Sequence, residues 1–367
     1  MVPVWFPLKV RVQPIINMDF DNNKEIYPAC FPSGVKEERI TFAHGAGGKR
    51  MHRLIREIFL KYFGNKFLNR MEDSAVIRVN EKEMCFTTDS YVVKPIFFPG
   101  GDIGKLAVCG TVNDLAVMGA VPKYISCSFV IREGFSFEKL ELICSSISRT
   151  AKKAGVVIVT GDAKVIEGNG EDEIYINTSG VGVRRNVKLG VEFVKPGDLI
   201  LINGGIGEHE AAVAVARGDY RLTTRLKSDC SSLNRMIDVV IKNKGVRVMR
   251  DPTRGGLATT LNEFAEGCGL GFVIDDVKIP IKWRVRGVAN ILGLDPFYMA
   301  NEGKVVVVCD RRGADDVIAA MRRFPEGKKA RVIGEVVKTL QGVWLKTQLG
   351  TLRRLLMLDG EQLPRIC

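Results

Sequence analysis

Three aspartates stand where strands are predicted to end or turn, and together they suggest one site. Asp73 follows Glu72, Asp89 closes the run Thr87-Thr88-Asp89, and Asp162 follows Thr160-Gly161. Acids at the carboxyl ends of strands face ligand crevices in α/β architectures. Hard oxygen ligands from separate segments suit Mg²⁺ carrying a nucleotide polyphosphate. If each aspartate is considered separately, a role as a turn or helix-cap residue is more common than a role as a metal ligand.

Asp114 is a fourth candidate, because it lies in a segment that is apolar nearly all round. Asp102 can cap a helix that runs from there to about Met118, and such an apolar helix is expected to be buried. A buried Asn113-Asp114 pair needs partners, since an unpaired buried carboxylate is very costly. Two explanations stay open at this point: a metal ion bound by Asp114, or a structural hydrogen-bond network.

Two glycine-rich segments are candidate phosphate contacts. The first runs from His44 to Lys49 and precedes a predicted helix at 51–62. Its glycines would let backbone N–H groups approach a phosphate, although a plain tight turn explains them equally well. It is not a Walker A loop, because Arg50 stands where Ser or Thr is required. The second runs from Arg250 to Leu257, where Asp251 is predicted to cap a helix and Pro252 to be its first residue.

The chain ends in Pro364-Arg365-Ile366-Cys367. The stretch 348–367 follows the last predicted strand and has no evident core role, so it is interpreted as a flexible tail. At up to ~3.5 Å per residue it could extend roughly 60 Å. Arg365 would favour the thiolate of Cys367 electrostatically. The alternative is an incidental thiol on a frayed end.

Alternating strands and helices are predicted to position these residues from about Ile40 onward. The β-branched run Val156–Thr160 indicates a buried strand. A turn at Lys195-Pro196-Gly197-Asp198 marks a domain boundary. The predicted organisation is an N-terminal extension (1–38), an N-terminal domain (39–194), an α+β C-terminal domain (195–347) and the tail (348–367).

Composition excludes several classes of protein. The chain of 367 residues has a net charge of +12, but its basic residues are mixed with acids, which argues against nucleic-acid binding. No apolar run approaches the ~20 residues that span a bilayer, so no membrane role is expected. Nine scattered cysteines with no CxxC pair indicate free thiols in a reducing cytoplasm, and structural zinc is not expected.

The motifs, in this order, are similar to the superfamily of aminoimidazole ribonucleotide synthetase, selenophosphate synthetase and thiamine monophosphate kinase, and within it to the HypE family of hydrogenase maturation factors. The resemblance covers roughly 40–367, and the Pro-Arg-Ile-Cys ending is its most specific part. The motifs that carry it are His44–Gly48, Thr88–Ser90, Asn113–Ala116, Gly161–Lys164, Asp251–Gly256, Asn301–Lys304 and Pro364–Cys367.

The resemblance implies a two-domain fold, with a mixed α/β N-terminal domain of the aminoimidazole ribonucleotide synthetase type that binds ATP and Mg²⁺ and joins two subunits into a homodimer. It also implies a reaction. The carbamoyltransferase HypF loads a carbamoyl group onto the terminal thiol, and ATP-dependent dehydration converts it to a thiocyanate. A HypC–HypD complex then receives the cyano group for the iron of nickel–iron hydrogenase.

Residue roles follow from the same resemblance. Cys367 carries the substrate group, and Lys164 and Glu302 are the candidate base and proton relay, in an order that the sequence leaves open. The acids Asp73, Asp89, Asp114 and Asp162 are the candidate Mg²⁺ ligands. The candidate nucleotide contacts are His44, Gly45, Gly47, Gly48, Lys49, Asn113, Asp251, Thr253, Arg254 and Gly255. Two rivals remain: a small-molecule phosphotransferase, which would leave the tail unexplained, and a non-enzymatic scaffold, which would leave the acids unexplained.

Overall fold

The computed structural model describes residues 48–65, 67–79, 82–167, 173–218 and 224–358. The predicted N-terminal extension, the residues His44, Gly45 and Gly47, and the terminal Cys367 lie outside these ranges. The helices are α1 (Lys49–Leu54), α2 (Leu60–Phe63), α3 (Ile103–Val117), α4 (Phe137–Ala154), α5 (Glu208–Arg217), α6 (Asn234–Val240), α7 (Gly256–Cys268), α8 (Trp283–Leu292) and α9 (Ala314–Arg322). A π-helical segment, Ile55–Phe59, joins α1 to α2.

The strands form two main sheets and a short ribbon. They are β1 (Ala75–Val79), β2 (Lys82–Tyr91), β3 (Phe97–Phe98), β4 (Gly101–Asp102), β5 (Ala120–Arg132), β6 (Val157–Ile166), β7 (Ile174–Arg184), β8 (Leu199–Ile202), β9 (Val246–Arg250), β10 (Gly271–Asp275), β11 (Val306–Cys309), β12 (Arg331–Val337), β13 (Gly342–Lys346) and β14 (Leu352–Arg354). The first sheet has the order β1-β2-β7-β5-β6, and the second has the order β14-β13-β10-β12-β8-β11-β9. The expected two-domain fold with mixed sheets is confirmed.

Helix α3 is the central element of the first domain and is almost wholly buried, as its apolar sequence predicts. The Asp102 carboxylate caps it by accepting hydrogen bonds from the backbone N–H groups of Gly104 and Lys105, at 2.9 and 3.0 Å. The helix packs on β2 and β7 on one side and on α4 on the other. It therefore carries Asp114 to the covered face of the first sheet.

Strand β6 differs from the sequence prediction. Within the described ranges it is the edge strand of the first sheet and pairs only with β5, in parallel. Val157 is 57% exposed and Val159 56% exposed, so this β-branched strand is not buried within the described part of a single chain. The apolar run correctly predicts a strand, but burial depends on what covers the edge.

Helix α7 begins later than predicted. Its first residue is Gly256 and its cap is Gly255, which has φ +75°, a conformation that strongly favours glycine. A Cβ on Gly255 would lie 2.1 Å from the Thr259 hydroxyl. Asp251 therefore does not cap the helix and Pro252 is not its first residue, because the chain makes one more turn before entering it. This leaves the Asp251 carboxyl available to another site.

The C-terminal segment is packed further along than predicted. β14 pairs antiparallel with β13, and the side chains of Leu355 and Met357 are buried. The packed part of the chain therefore runs to Leu358, past the predicted boundary at 348. The physical reason is that the Leu355 side chain packs in the apolar core beside α7, a long-range contact that the sequence of this segment does not reveal.

None of the helices in the described ranges combines the length and the apolar character needed to span a bilayer. The seven cysteines that the structure describes are free thiols.

Candidate active site

A cavity of about 430 Å³ collects acids from distant parts of the chain. Strand β2 supplies Asp89, helix α3 supplies Asp114, and the segment before β1 supplies Asp73. The second domain contributes two loops, one after β9 and one before β11. The residues that line the cavity include Asp73, Thr87, Asp89, Tyr91, Asp114, Asp251, Thr253, Arg254 and Glu302.

Asp89 and Asp114 lie side by side at the covered face of the first sheet. The hydroxyl of Thr87 donates to Asp114 at 2.9 Å, and the phenol of Tyr91 donates to Asp89 at 3.1 Å. Burial raises the pKa of both carboxyls, and the charge of Asp89 raises that of Asp114 further. Two neighbouring carboxylates that cannot both ionise at low cost form a site that a cation would stabilise.

Asp251 and Glu302 close the cavity from the second domain. The Oδ2 atom of Asp251 is buried and has no hydrogen-bond partner among the described residues. Burial, and then the charge of Asp73, raise the pKa of Asp251 well above its usual value. Burial, and then the charges of Asp251 and Asp229, raise the pKa of Glu302 in the same direction. A glutamate tuned upward in this way suits proton transfer near neutral pH.

The loop that carries Glu302 is held from both sides. The Asp229 carboxylate accepts from the backbone N–H groups of Glu302 and Gly303, at 3.3 and 3.2 Å, and from Lys304 Nζ at 2.8 Å. Asn301 donates to the carbonyls of Pro252 and Met299 and accepts from the Gly207 N–H at 2.7 Å. The buried ion pair between Asp229 and Lys304 is stabilised by further hydrogen bonds to the backbone N–H groups of Glu302 and Gly303. These hydrogen bonds fix the backbone of Glu302.

A second buried network sets the position of Asp73. Arg250 Nε donates to Asp73 at 3.0 Å, and its Nη1 donates to Glu263, which also contacts His52 at 3.1 Å. Burial raises the pKa of Asp73 to about 6, although Arg250 lowers it. Arg250, Glu263 and His52 were not among the residues predicted from the sequence. They lie in β9, α7 and α1, far apart in the sequence, and no local pattern indicates that they contact one another.

This network borders a second cavity, of about 630 Å³, that adjoins the first. The two share Glu72, Asp73, Asp251, Thr253 and Arg254 in their walls. The buried hydroxyl of Thr259, which lines the second cavity, has no hydrogen-bond partner in the part of the chain that the structure describes. Two adjoining cavities with unsatisfied polar atoms offer room for a ligand larger than a metal ion.

Only some of the other predicted nucleotide contacts lie at the two cavities. Thr253 and Arg254 line both cavities, and Gly255 caps the helix beside them. Gly48 and Lys49 stand at the start of α1. The side chain of Asn113 takes part in other hydrogen bonds: its amide donates to the Ser231 carbonyl and accepts from the Leu233 N–H at 2.8 Å. The alternative of a structural network therefore describes Asn113 better than a nucleotide contact.

Asp162 and Lys164 are not brought to this cavity within one chain. Both lie exposed on β6, opposite Ser128 and Val130 of β5. They share the open face of the first sheet, which also presents Tyr124, whereas Asp89 and Asp114 lie on the covered face. Adjacent residues on a strand point to opposite faces, and this separates Asp162 and Lys164 from the acids they were predicted to join.

The residues in the cavity fit a divalent cation. Asp251 offers a buried oxygen without a partner, and the pKa values of Asp89 and Asp114 are raised largely by burial. In the described ranges, no three acidic, imidazole or thiol groups are already gathered as a complete metal site. Mg²⁺ commonly takes one or two carboxylates and completes its shell with water and substrate phosphates, so an incomplete set of acids is in keeping with it.

Known proteins are similar to this chain in sequence and in fold. Residues 71–184 match the family described as AIR synthase related protein, N-terminal domain, and residues 195–344 match its C-terminal domain. Carbamoyl dehydratase HypE of Rhodobacter capsulatus is 46% identical over 339 residues, covering 91% of this chain and 99% of the relative. The chain belongs to the HypE family. HypE of Escherichia coli (strain K12) is 42% identical over 334 residues, covering 89% and 99%.

Solved structures of HypE proteins agree with this assignment. A HypE–HypF complex matches with a TM-score of 0.78 at 43% identity, covering 84% of this chain and 99% of that one. HypE in complex with ATP matches with a TM-score of 0.74 at 41% identity, covering 89% and 99%. The resemblance to HypE predicted from the motifs is therefore confirmed.

Proposed function

We propose that this member of the HypE family uses ATP to dehydrate an S-carbamoyl group on its own Cys367, forming a thiocyanate that supplies the cyanide ligand of nickel–iron hydrogenase. The observation that carries the proposal is the cavity in which Asp89, Asp114 and Asp251 face Arg254 and Glu302. Acids together with a cation suit phosphoryl transfer, and a buried glutamate suits the removal of a proton. The carbamoyl dehydratases among the HypE relatives, and the structure of a HypE protein in complex with ATP, support it.

The chemistry balances as a phosphorylation followed by an elimination. The carbonyl oxygen of the thiocarbamate attacks the γ-phosphorus of ATP, and ADP leaves. Two protons then leave the nitrogen, the carbon–oxygen bond breaks, and a carbon–nitrogen triple bond forms as phosphate departs. The oxygen of the carbamoyl group therefore ends in phosphate, and the thiol sulfur keeps its bond to carbon throughout.

The residues of this chain would divide the work as follows. Asp89, Asp114 and Asp251 would hold Mg²⁺, which offsets the negative charge of the polyphosphate when bound. Asp73 stands at the border of both cavities, within its network with Arg250. Arg254 would contact phosphate oxygens through its planar guanidinium. Glu302 would accept a proton from the nitrogen, which its raised pKa favours.

Lys164 and Asp162 would act across a homodimer interface. The open face of the first sheet exposes large apolar side chains in one row across the strands, where Phe86 is 44%, Tyr124 53% and Val157 57% exposed. An apolar face of this kind is typical of a protein–protein contact. A second copy on this face would bury the row, and it would bring Lys164 of one chain towards the other chain.

The proposed reaction requires two protein partners, one that supplies the carbamoyl group and one that accepts the cyano group. HypF would supply the carbamoyl group to Cys367, in line with the structure of a HypE–HypF complex among the relatives. A HypC–HypD complex would accept the cyano group. We place these exchanges in the cytoplasm.

The first prediction concerns the mass of the C-terminal peptide. After incubation with HypF, carbamoyl phosphate and ATP, Cys367 is expected to carry a cyano group in place of its thiol hydrogen. The measurement is mass spectrometry of the intact chain and of its C-terminal peptide, with Cys367→Ala as control. A carbamoyl group that persists in the presence of ATP, or no modification at all, would contradict the proposed function.

The second prediction tests Lys164 across the interface with mixed dimers. One copy carries Lys164→Ala and the other carries Glu302→Gln, so that a shared site has one intact pair per dimer. We expect about half of the wild-type rate of thiocyanate formation, because two-fold symmetry then leaves one complete site. The matched control places both substitutions on one copy beside a wild-type copy, and it should be inactive. The reverse pattern would assign Lys164 to the site of its own chain.

A further inference from the structure

The chain between β14 and the terminal residues is fastened by three polar contacts to its backbone. The amide of Asn262 on α7 donates to the Leu355 carbonyl at 2.9 Å. The phenol of Tyr298 donates to the Leu356 carbonyl at 2.7 Å. The backbone N–H of Lys49 donates to the Leu358 carbonyl at 2.7 Å. Three carbonyls within four residues, at 355, 356 and 358, are thus held by three separate segments of the chain.

Apolar packing strengthens these contacts. Leu355 is 1% exposed and Met357 6% exposed, while Leu356 between them faces outward. The Leu355 N–H also donates to the Val343 carbonyl of β13 at 2.9 Å. Burial of two apolar side chains of this size removes them from water and helps to hold the short segment in place.

The point of attachment lies beside the candidate active site. Lys49 is the first residue of α1, and His52, about 4.5 Å further along the helix axis, lines the second cavity. Asn262 lies on α7 between Thr260 and Glu263, which line the same cavity. The Lys49 N–H is one of the helix-start donors that have no partner within the helix, and the C-terminal segment supplies one.

We infer that residues 355–358 are an anchor that fixes the base of the C-terminal tether next to the active site, with Asn262 and Tyr298 as its positioning residues. The inference rests on the proposed function, since it concerns how Cys367 is presented. Nine residues, 359–367, follow the anchor. Nine residues span at most about 30 Å, half of the reach expected for a tail that starts at 348.

A short tether has a kinetic consequence. The root-mean-square span of a flexible chain of nine residues is about 15–18 Å. The effective concentration of a tethered group falls roughly as the −3/2 power of the tether length once the site is within reach. The anchor therefore raises the concentration of the carbamoylated thiol at its site, and it does so without contacting the reacting atoms.

Two insertions of equal length separate an anchored tether from a tail that is free from 348 onward. A Gly/Ser insertion of 27 residues after Leu358 makes the tether four times as long, so the single-turnover rate of thiocyanate formation should fall about eightfold. The same insertion after Leu349 enters the exposed turn before β14, upstream of the anchor, and should leave the rate unchanged. Leu349 is 92% exposed, so the fold tolerates this change.

The outcomes decide the inference in both directions. Slowing by the downstream insertion alone supports the anchor. Equal slowing by both insertions, slowing by the upstream one alone, or no slowing by either would overturn it. Hydrogen exchange gives a readout independent of activity: the amide of Leu355 should be protected in the wild type and should lose protection in Asn262→Ala. If the wild type makes no thiocyanate, the proposed function fails, and the exchange result alone decides the anchor.

Discussion

Replacing Glu302 with glutamine is expected to slow thiocyanate formation by about two to four orders of magnitude, the usual contribution of a positioned proton acceptor. Glutamine keeps the size and the hydrogen-bonding capacity of the side chain but cannot accept the proton. Glu302 lines the cavity opposite the acids of the first domain, and burial raises its pKa well above the usual value. The substitution also removes a costly buried acid, so the fold should be at least as stable.

The measurement is the single-turnover rate on carbamoylated Cys367 at saturating ATP, followed by mass spectrometry. Loading of Cys367 by HypF should be unaffected, because Glu302 has no part in that step. Glu335→Gln, an exposed glutamate that pairs with Arg311, is the control and should react at the wild-type rate. A Glu302→Gln variant that forms thiocyanate as fast as the wild type would remove Glu302 from the mechanism.

Replacing Arg250 with methionine is expected to cost about 3–5 kcal/mol of the free energy of unfolding, the usual effect of removing one partner from a buried ionic cluster. Arg250 contacts the carboxyls of Asp73 and Glu263 and the carbonyl of Met71. Although burial alone would raise it, Arg250 and His52 hold the pKa of Glu263 below its usual value. Without the guanidinium, the buried carboxyls of Asp73 and Glu263 lose the positive charge that they share.

The sign of the pH dependence follows from these carboxyls. Loss of Arg250 raises the folded-state pKa values of Asp73 and Glu263, so the folded variant binds more protons than the unfolded chain between about pH 4 and neutrality. Its stability should therefore decrease as the pH rises, and the difference from the wild type should be larger at pH 8 than at pH 5. Urea unfolding at both pH values measures this. Arg311→Met, which breaks an exposed pair, should change the stability by no more than about 1 kcal/mol.

The two predictions address the two adjoining cavities, because Glu302 lines the first and Arg250 lines the second. Glu302 is expected to act on the reacting nitrogen, whereas Arg250 sets the position of Asp73 and joins the segment before β1 to α7. A rate defect with an unchanged stability in the first variant, and a stability defect that depends on pH in the second, would show that chemistry and positioning are separable here.

The sequence by itself determined the elements whose signals are local. The Asp102 cap and the apolar run after it define α3, and Gly155, with φ +79°, ends α4. The motif order also determined the family. These features depend on neighbouring residues or on short patterns, so no long-range contact is needed to recognise them.

Only the tertiary structure decided which residues meet. Asp89 and Lys164 both lie on strands of the first sheet, but they fall on opposite faces, and side-chain alternation together with strand order sets this outcome. The partners of Arg250 are 13 and 177 residues away along the chain, a separation that no local pattern encodes.

The C-terminal segment shows the same limit. Its sequence reveals the terminal thiol and little else, and the anchor at 355–358 exists because β13, α7 and the start of α1 converge on it. The chemistry available to this chain is thus encoded in residue types that can be read in order. The geometry that brings those residues together depends on strand order and on packing between distant segments, which arise only when the whole chain folds.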